Sequence, residues 1–598
     1  MRGKRLGAAL LLSLVVLANV GYMLWRICFT LPKGEGLLSM FFAAGLLFAE
    51  LLGLFELCVT VDGIHHQSVP PLPKVAPTQL PAVDVFVATY NEEVSLVRRT
   101  LQGCKMMEYP DPDKVHIYLC DDGKRVEMQA LAAQMGVHYL ARSGNQGAKA
   151  GNLNHALRCS GAPLIATFDA DMIPTPRFLL ETLPYFCVPK GTLSVCGQRS
   201  RPNEKKKAFC DAQKSPRAGK HSRRYLKKQA RGGNGEVGFV QTPQSFYNPD
   251  LFQAHFFAQD RIPNEQDYFY RKVQLTKNHS NTVIYGGSNT VISRKALEAV
   301  GGFYEQSITE DFATGILIQS KGYQCYAIPT VLAAGLSPTD LKSLFAQRAR
   351  WARGCIQTIQ QLKIYRVPGL RLRQKLIYYS AISYWYSCVK RFFYLTAPIA
   401  FTVFGVRVVD CSLREVLLLF LPTYLLTNAV LVAHSARLRA THWTNIYETV
   451  FFPSLLGAVL RESVGRRQRD FSVTDKSSAV PQDIAYQRRK ARVFYGYIVL
   501  SCVGIANLFL YSGSYQGWNF VVVLTWLVVN LLYLLMALLF VRGAKAAAQG
   551  KSGAGRPLAA QMVDRGCLLQ EVLRTAQIRA RLRAQRWVQG RLARKYSK

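Results

Sequence analysis

Two long apolar runs open the chain, at residues 6–31 and 36–61. Each is about long enough to cross a hydrocarbon core roughly 30 Å thick. The first follows MRGKR, but its apolar stretch is too long for a signal peptide and lacks a small-residue cleavage site. A second span follows closely, so the first reads as a signal anchor. Four more candidate spans follow near 378–406, 416–435, 493–512 and 518–541, the first of these carrying Lys390 and Arg391 inside it. The intervening block has a different period. After a Pro-rich linker (69–81), the strand-like runs VDVFVAT (83–89), VHIYLC (115–120), VHYL (137–140) and PLIATF (163–168) alternate with helix-like segments such as 94–106 and 126–135. This is the βαβ rhythm of an open parallel sheet. Such sheets bind ligands beyond the carboxyl ends of their strands.

Charge then sets the expected orientation. The chain has 598 residues, with 75 Lys plus Arg against 37 Asp plus Glu, a formal charge of +38, yet it is 49% apolar. That apolar content excludes a disordered chain. The short connectors 32–35, 407–415 and 512–517 carry no net charge. The connector 436–492 carries eleven cations and five acids, and the tail 542–598 carries fourteen cations and two acids. Under six spans every basic segment falls on one side, which the positive-inside rule makes cytoplasmic. Both termini and the 62–375 block are therefore expected in the cytoplasm, in a multi-pass plasma-membrane protein. The basic balance reports topology, and no nucleic-acid partner is expected. The fourteen cysteines form no CxxC pair. Most fall on the reducing side, and Cys187, Cys196 and Cys210 lack histidines at zinc spacing, so buried free thiols are expected.

Three strand ends carry polar clusters: Thr89-Tyr90-Asn91-Glu92, Asp121-Asp122-Gly123 and Asp169-Ala170-Asp171. Carboxylates at a buried sheet edge are costly unless something neutralises them. A divalent cation carrying a diphosphate would do so, and the Asp-x-Asp spacing lets two carboxylates turn toward one hard ion. A single such pair is often only a surface turn. The Gly-rich stretch 144–154 lacks the GK[ST] ending of a Walker loop, though its Lys149 suits a phosphate contact as well as an ordinary loop. Thr309-Glu310-Asp311 opens a helix-like stretch, where an acid also suits a cap. Gln347-Arg348-Ala349-Arg350-Trp351 lies in an amphipathic segment, 341–362, with apolar positions 341, 344, 345, 356, 359 and 362. That pattern suits an interfacial helix, with Trp351 as a membrane anchor or a ligand contact.

Taken in order, TYNEE, DDG, KAGNLN, DAD, TED and QRARW make the chain similar to processive family-2 glycosyltransferases, and more narrowly to the bacterial cellulose synthase catalytic subunits. VGFVQTPQSFYNPD (237–250) and FSVTDK (471–476) sharpen the resemblance, which covers residues 35–541. It implies an α/β glycosyltransferase domain, Rossmann-like and of GT-A type, inserted in an α-helical multi-pass membrane bundle with interfacial helices. It implies an inverting transfer of glucose from UDP-glucose to a growing β-glucan, cellulose or a mixed β-1,3/1,4-glucan, which is then passed through the membrane. Asp311 would be the general base, within Thr309-Glu310-Asp311. Thr89, Glu92, Asp121 and Asp122 would hold uridine and ribose. Lys149 and Arg350 would contact the diphosphate, with Gln347 closing the site. Asp169 and Asp171 would carry Mg²⁺ or Mn²⁺, and Trp351 would stack under the acceptor sugar. Phe471, Val473, Thr474 and Lys476 would form a loop that closes over nucleotide.

The expected domains are two N-terminal spans (1–61), a linker (62–82), the cytoplasmic transferase domain (83–340), interfacial helices (341–377), four spans with the gating loop (378–541) and a basic tail (542–598). The chain departs from the family's pattern at Met172, at Tyr285-Gly286-Gly287-Ser288, in the basic stretch 203–233 with its eleven cations, and in lacking a DxSxxG signature after the last span. The second departure touches the acceptor channel and leaves the linkage open. Glu50, Glu56, Lys390 and Arg391 are intramembrane ionisable residues, read as polymer-path lining or as snorkelling side chains. The tail suits an anionic lipid surface or a partner subunit. The rivals are a hyaluronan- or chitin-like synthase using UDP-N-acetylglucosamine, and an inactive membrane subunit.

Overall fold

The computed structural model describes residues 2–188, 235–259, 261–435, 438, 441–466, 484–511 and 517–543. The expected gating-loop residues Phe471, Val473, Thr474 and Lys476, the stretch 203–233 and the tail beyond 543 lie outside the described residues.

The first half folds as the strand pattern predicts. β1 (Val83–Thr89), β2 (Val115–Asp121), β3 (His138–Leu140) and β4 (Leu164–Asp169) are parallel neighbours in the order β3-β2-β1-β4. Successive β1 residues point to opposite faces. Val83, Val85 and Val87 pack with Val97 and Leu101 of the Val94–Lys105 helix. Phe86 packs on the other face with Leu153 and Ala156 of the Ala148–Cys159 helix.

Beyond β4 the parallel expectation fails. Short β5 (Ile173–Pro174) leaves the main sheet. Then come β6 (Val237–Gln241), β7 (Ser245–Phe246), β8 (Thr290–Ser293), β9 (Gln324–Ala327) and β10 (Ala333–Gly335). β8 wedges between β4 and β6 and runs antiparallel to both, while β6 and β9 are parallel. The result is a seven-stranded mixed sheet, with β5, β10 and β7 in a separate three-stranded one. Strands of four or five residues bury too little pattern to reveal their direction. An antiparallel neighbour also needs no crossover helix to announce it.

Among the described residues, five helices are long and apolar enough to cross a membrane: Gly7–Phe29, Leu37–His65, Leu413–His434, Ile484–Leu510 and Phe520–Arg542. They mark a membrane protein. The span expected at 378–406 is not one of them. It breaks into Leu372–Ser383, a 3-10 turn at Tyr384–Tyr386, and Ser387–Phe404. The last piece packs against the helices at 37–65, 441–463, 484–510 and 517–542. A helix wrapped by other helices can carry Lys390 and Arg391, because Glu56 (2.6 Å) and Glu448 (2.9 Å) pair with them. At Gly45 the approach is closest: a Cβ there would lie 2.0 Å from the Phe393 ring.

Two further segments differ from expectation. The connector 436–492 contains a 23-residue helix, Thr441–Ser463. Asn445, Glu448, Thr449 and Pro453 dilute its hydropathy below that of a span. The 341–362 segment is helical as its periodicity predicts, with Asp340 capping it through the Ser343 N–H at 2.9 Å. However, Leu341, Leu344, Phe345 and Ile356 are covered by Val450, Phe451 and Leu455 of the Thr441–Ser463 helix. Protein, and not lipid, covers most of the face that the pattern assigned to the bilayer.

One buried charge ties the sheet together at its far edge. Asp84, on β1, is fully buried and accepts from the Arg294 guanidinium (2.9 Å), the Ala162 N–H (2.8 Å) and the His116 ring (2.9 Å). Deleting one member of a buried pair leaves the other charge uncompensated. Asp84→Ala is therefore expected to cost about 3–5 kcal/mol, seen as a lower temperature of unfolding of the detergent-solubilised chain. An unchanged temperature would show that the cluster is dispensable.

Candidate active site

Strand register brings the polar strand ends to one edge. Thr89 lies opposite Asp121, and Ala88 opposite Asp169. The two aspartates of the DDG turn then part company. Asp121, the last residue of β2, is fully buried and accepts from the N–H groups of Gly123 (3.0 Å) and Arg125 (2.7 Å), the Arg125 guanidinium (3.1 Å) and the Tyr139 hydroxyl (3.2 Å). Its carboxylate holds its own turn, and Asp121 is not among the residues that border the cavity described below. Asp122 does border the cavity. It is gripped at both oxygens by Arg142, at 2.6 and 2.9 Å, and Arg142 also donates to the carbonyls of Gln146 and Ala148. The Gly-rich loop is thereby tied to the DDG turn. At the first strand end, Glu92 accepts from the Thr89 hydroxyl and the Tyr90 N–H, both at 2.8 Å.

The loop delivers Lys149 to the floor of the site. Its ammonium donates to the Asp169 carboxylate and, at 3.0 Å, to the Gly287 carbonyl. The Asp169 N–H in turn donates to the Ser288 hydroxyl at 2.9 Å. Asp171 is buried and accepts from the Leu336 N–H at 3.0 Å. Glu310 and Asp311 open the Glu310–Ser320 helix, and Asp311 accepts from the Phe312 N–H at 2.7 Å. Gly287 has φ +76°, and a Cβ on it would lie 2.8 Å from the second Asp311 oxygen. A side chain there would fill the space over the carboxylate, and its backbone would be strained as well.

These charges perturb one another. Burial, then the neighbouring charge of Glu310, pushes Asp311 up to about 7. Burial raises Glu310 as well, with Lys149 pulling against it. Burial works to strip the proton from Lys149, but the charges of Asp169 and Glu310 outweigh it and raise its pKa. Burial lowers Arg350, against the same carboxylates.

The Leu341–Leu362 helix closes the other side. Gln347, Arg350 and Trp351 all border the cavity. Gln347 accepts from Arg348 at 2.7 Å, and Arg348 stacks 4.5 Å from the centre of the Trp351 ring. Thr309 faces this helix, where Gly354 leaves room for its methyl group and Thr358 sits 3.3 Å from its hydroxyl. Thr309 thus keys the TED turn to the helix.

One cavity of about 850 Å³ joins these groups. It is bordered by Thr89, Glu92, Asp122, Lys149, Asp169 and Asp171 at the strand ends. It continues past Thr309, Glu310 and Asp311 to Gln347, Arg350 and Trp351, and ends among Glu56, Lys390 and Glu448 of the helix bundle. Glu50 is not on this wall; Arg26 holds it at 3.0 Å. The sequence reading missed Arg142, Glu265 and Arg348. Arg348 is inside QRARW, where only Gln347, Arg350 and Trp351 were given roles. Arg142 follows β3 by two residues, which places it near the β2 turn. Glu265 carries no periodic signal at all.

Residues 84–301 match the glycosyl transferase family 2, and residues 222–433 match glycosyl transferase family group 2. The chain is 32% identical over 481 residues to cellulose synthase 2 of Novacetimonas hansenii, covering 79% of this chain and 27% of that protein. It is 30% identical over 538 residues to the UDP-forming cellulose synthase catalytic subunit of Pseudomonas fluorescens, covering 88% of this chain and 66% of that one. The chain thus spans between about a quarter and two thirds of these relatives' lengths. Among solved structures, the mannosyltransferase PcManGT of Pyrobaculum calidifontis, in complex with GDP-Man and Mn²⁺, aligns at a TM-score of 0.43 with 18% identity, covering 71% of this chain and 100% of that one. With its family matches falling on the mixed sheet and its strand-end site, the chain carries a family-2 glycosyltransferase domain and is homologous to the cellulose synthase catalytic subunits.

Proposed function

We propose that the chain is a membrane-integrated, inverting β-glucan synthase that polymerises glucose from UDP-glucose and passes the polymer into its helix bundle. The observation that carries this is the single cavity running from the sheet edge, past Asp311 and Trp351, to Glu56, Lys390 and Glu448. A site for one-step transfer to a soluble acceptor needs no such extension among membrane helices. A glucan is too polar for the bilayer, and it requires a protein-lined path from the point of synthesis.

In this reading Thr89, Glu92 and Asp122 hold uridine and ribose, and Lys149 and Arg350 receive the diphosphate. An arginine suits bidentate contact, whereas a lysine acts as a point charge. Asp169 and Asp171 fit a hard divalent ion, Mg²⁺ or Mn²⁺, since both present carboxylates to one cavity that already accommodates the Lys149 ammonium. No cluster of three or more metal-ligating side chains exists among the described residues. The ion would therefore complete its shell from phosphate oxygens and water, as Mg²⁺ ordinarily does. Bound there, it would supply charge screening for the departing diphosphate. Asp311 removes the proton from the terminal hydroxyl of the glucan, through the oxygen that faces the space over Gly287. Trp351 supports the acceptor sugar. Phe471, Val473, Thr474 and Lys476 complete the proposal as a closing loop.

The transferase domain and the basic segments are assigned to the cytoplasmic face of the plasma membrane. Ser387–Phe404 counts as the sixth crossing, its charges neutralised by neighbouring helices.

Four outcomes test this. Membranes given labelled UDP-glucose should form a polymer digested by cellulase or by a mixed-linkage lichenase, the enzyme that cuts it identifying the linkage. Incorporation from UDP-N-acetylglucosamine alone would overturn the glucan assignment. Asp311→Asn should lower the rate about 10²–10⁴-fold, the usual worth of a positioned base; unchanged output would remove the mechanism. A base must be unprotonated to accept, and Asp311 titrates at about 7 in the free chain. kcat/KM should therefore rise with pH through neutrality and level off above it. Chelation by EDTA should stop synthesis, and Mg²⁺ or Mn²⁺ should restore it.

A further inference from the structure

The sequence segment TPQSFYNPD has no part in the chemistry above, yet its last residue starts a chain of contacts that ends at the acceptor. Asp250 is buried. One oxygen caps the short helix after it through the Gln253 N–H (2.8 Å), and the other accepts from the Glu265 N–H (2.8 Å). Glu265, so fixed, takes the Arg348 guanidinium in an ion pair whose side chains are only 9% and 5% exposed. Arg348 is three residues before Trp351 on one helix, which puts the two on the same face. Its guanidinium lies 4.5 Å from the Trp351 ring centre and 5.9 Å from that of Phe451, and donates to Gln347 at 2.7 Å.

We propose that Glu265 is a positioning residue for the transfer, acting through Arg348 to hold the Trp351 ring at the angle that presents the acceptor sugar to Asp311. This rests on the reading of Trp351 as the acceptor platform. A tryptophan on a cavity wall turns about two side-chain bonds. A planar guanidinium stacked on its face restrains it, but only if the guanidinium is itself held. Glu265 supplies that hold, from a loop (263–266) that borders the same cavity. The arrangement couples this loop to the register of the polymer.

The test uses membranes carrying the full chain, with sugar incorporation and UDP release measured separately against UDP-glucose. Glu265→Gln should lower polymer kcat about tenfold, leave KM for UDP-glucose within about twofold, and release more UDP than sugar incorporated, while adding nothing in a Trp351→Ala background, as residues acting through one another do. Equal losses in both backgrounds would overturn the bracing role. A wild-type polymer rate in Trp351→Ala alone would overturn the platform reading beneath it. Removing one partner of a buried pair endangers the fold, so Glu265→Gln with Arg348→Met removes both charges. That double variant should keep the wild-type KM for UDP-glucose with low polymer output, and full recovery of output would overturn the proposal.

Discussion

The site depends on how one lysine is spent. Asp169, Glu310 and Asp311 meet at the end of a buried sheet, where like charges cannot all remain ionised without a counter-charge. Lys149 is that counter-charge, reaching Asp169 and the Gly287 carbonyl together. Its position depends on two other features. The Gly-rich loop must be pinned by Arg142 to Asp122, and residue 287 must lack a side chain so that its carbonyl and the space over Asp311 coexist. The field of Lys149 also sets the balance between the carboxylates, since it opposes the rise of both Glu310 and Asp311.

Much of this was readable from letters and spacing. The valines of β1 at alternate positions fixed the first strand, and the polar residues just past three such strands marked the sheet edge. What the letters cannot show is which neighbour turns inward. Asp121 and Asp122 are identical and adjacent, but the strand pleat buries one beneath its turn and gives the other to the cavity. The direction of β8 was likewise hidden, since four buried residues carry no sign of parallel or antiparallel pairing. The 341–362 helix shows a third limit. Its period states that one face is apolar, and says nothing about whether lipid or Phe451 covers it. Glu265 was invisible because its importance lies in a partner 83 residues away.

The bundle and the charge excess fit together on the same terms. Arg26 with Glu50, Lys390 with Glu56, and Arg391 with Glu448 are each one acid and one base. These three cations therefore add nothing to the net +38. The stretch 203–233 carries eleven cations against Glu204 and Asp211, and the tail fourteen against two acids, which together account for 21 of that excess. Burying such pairs is expensive and gives little stability that apolar side chains would not, so their retention needs another reason. Two of them supply one. Glu56, Lys390 and Glu448 stand where the cavity enters the helices, while their partners or neighbours anchor them to three different helices. On the proposed reading, a sugar polymer moving past would carry only hydroxyl groups, which could trade hydrogen bonds with a carboxylate or an ammonium one residue at a time but could not neutralise either. Paired charges would offer those bonds without a fixed net field, so no single position along the wall would hold the chain against its next step.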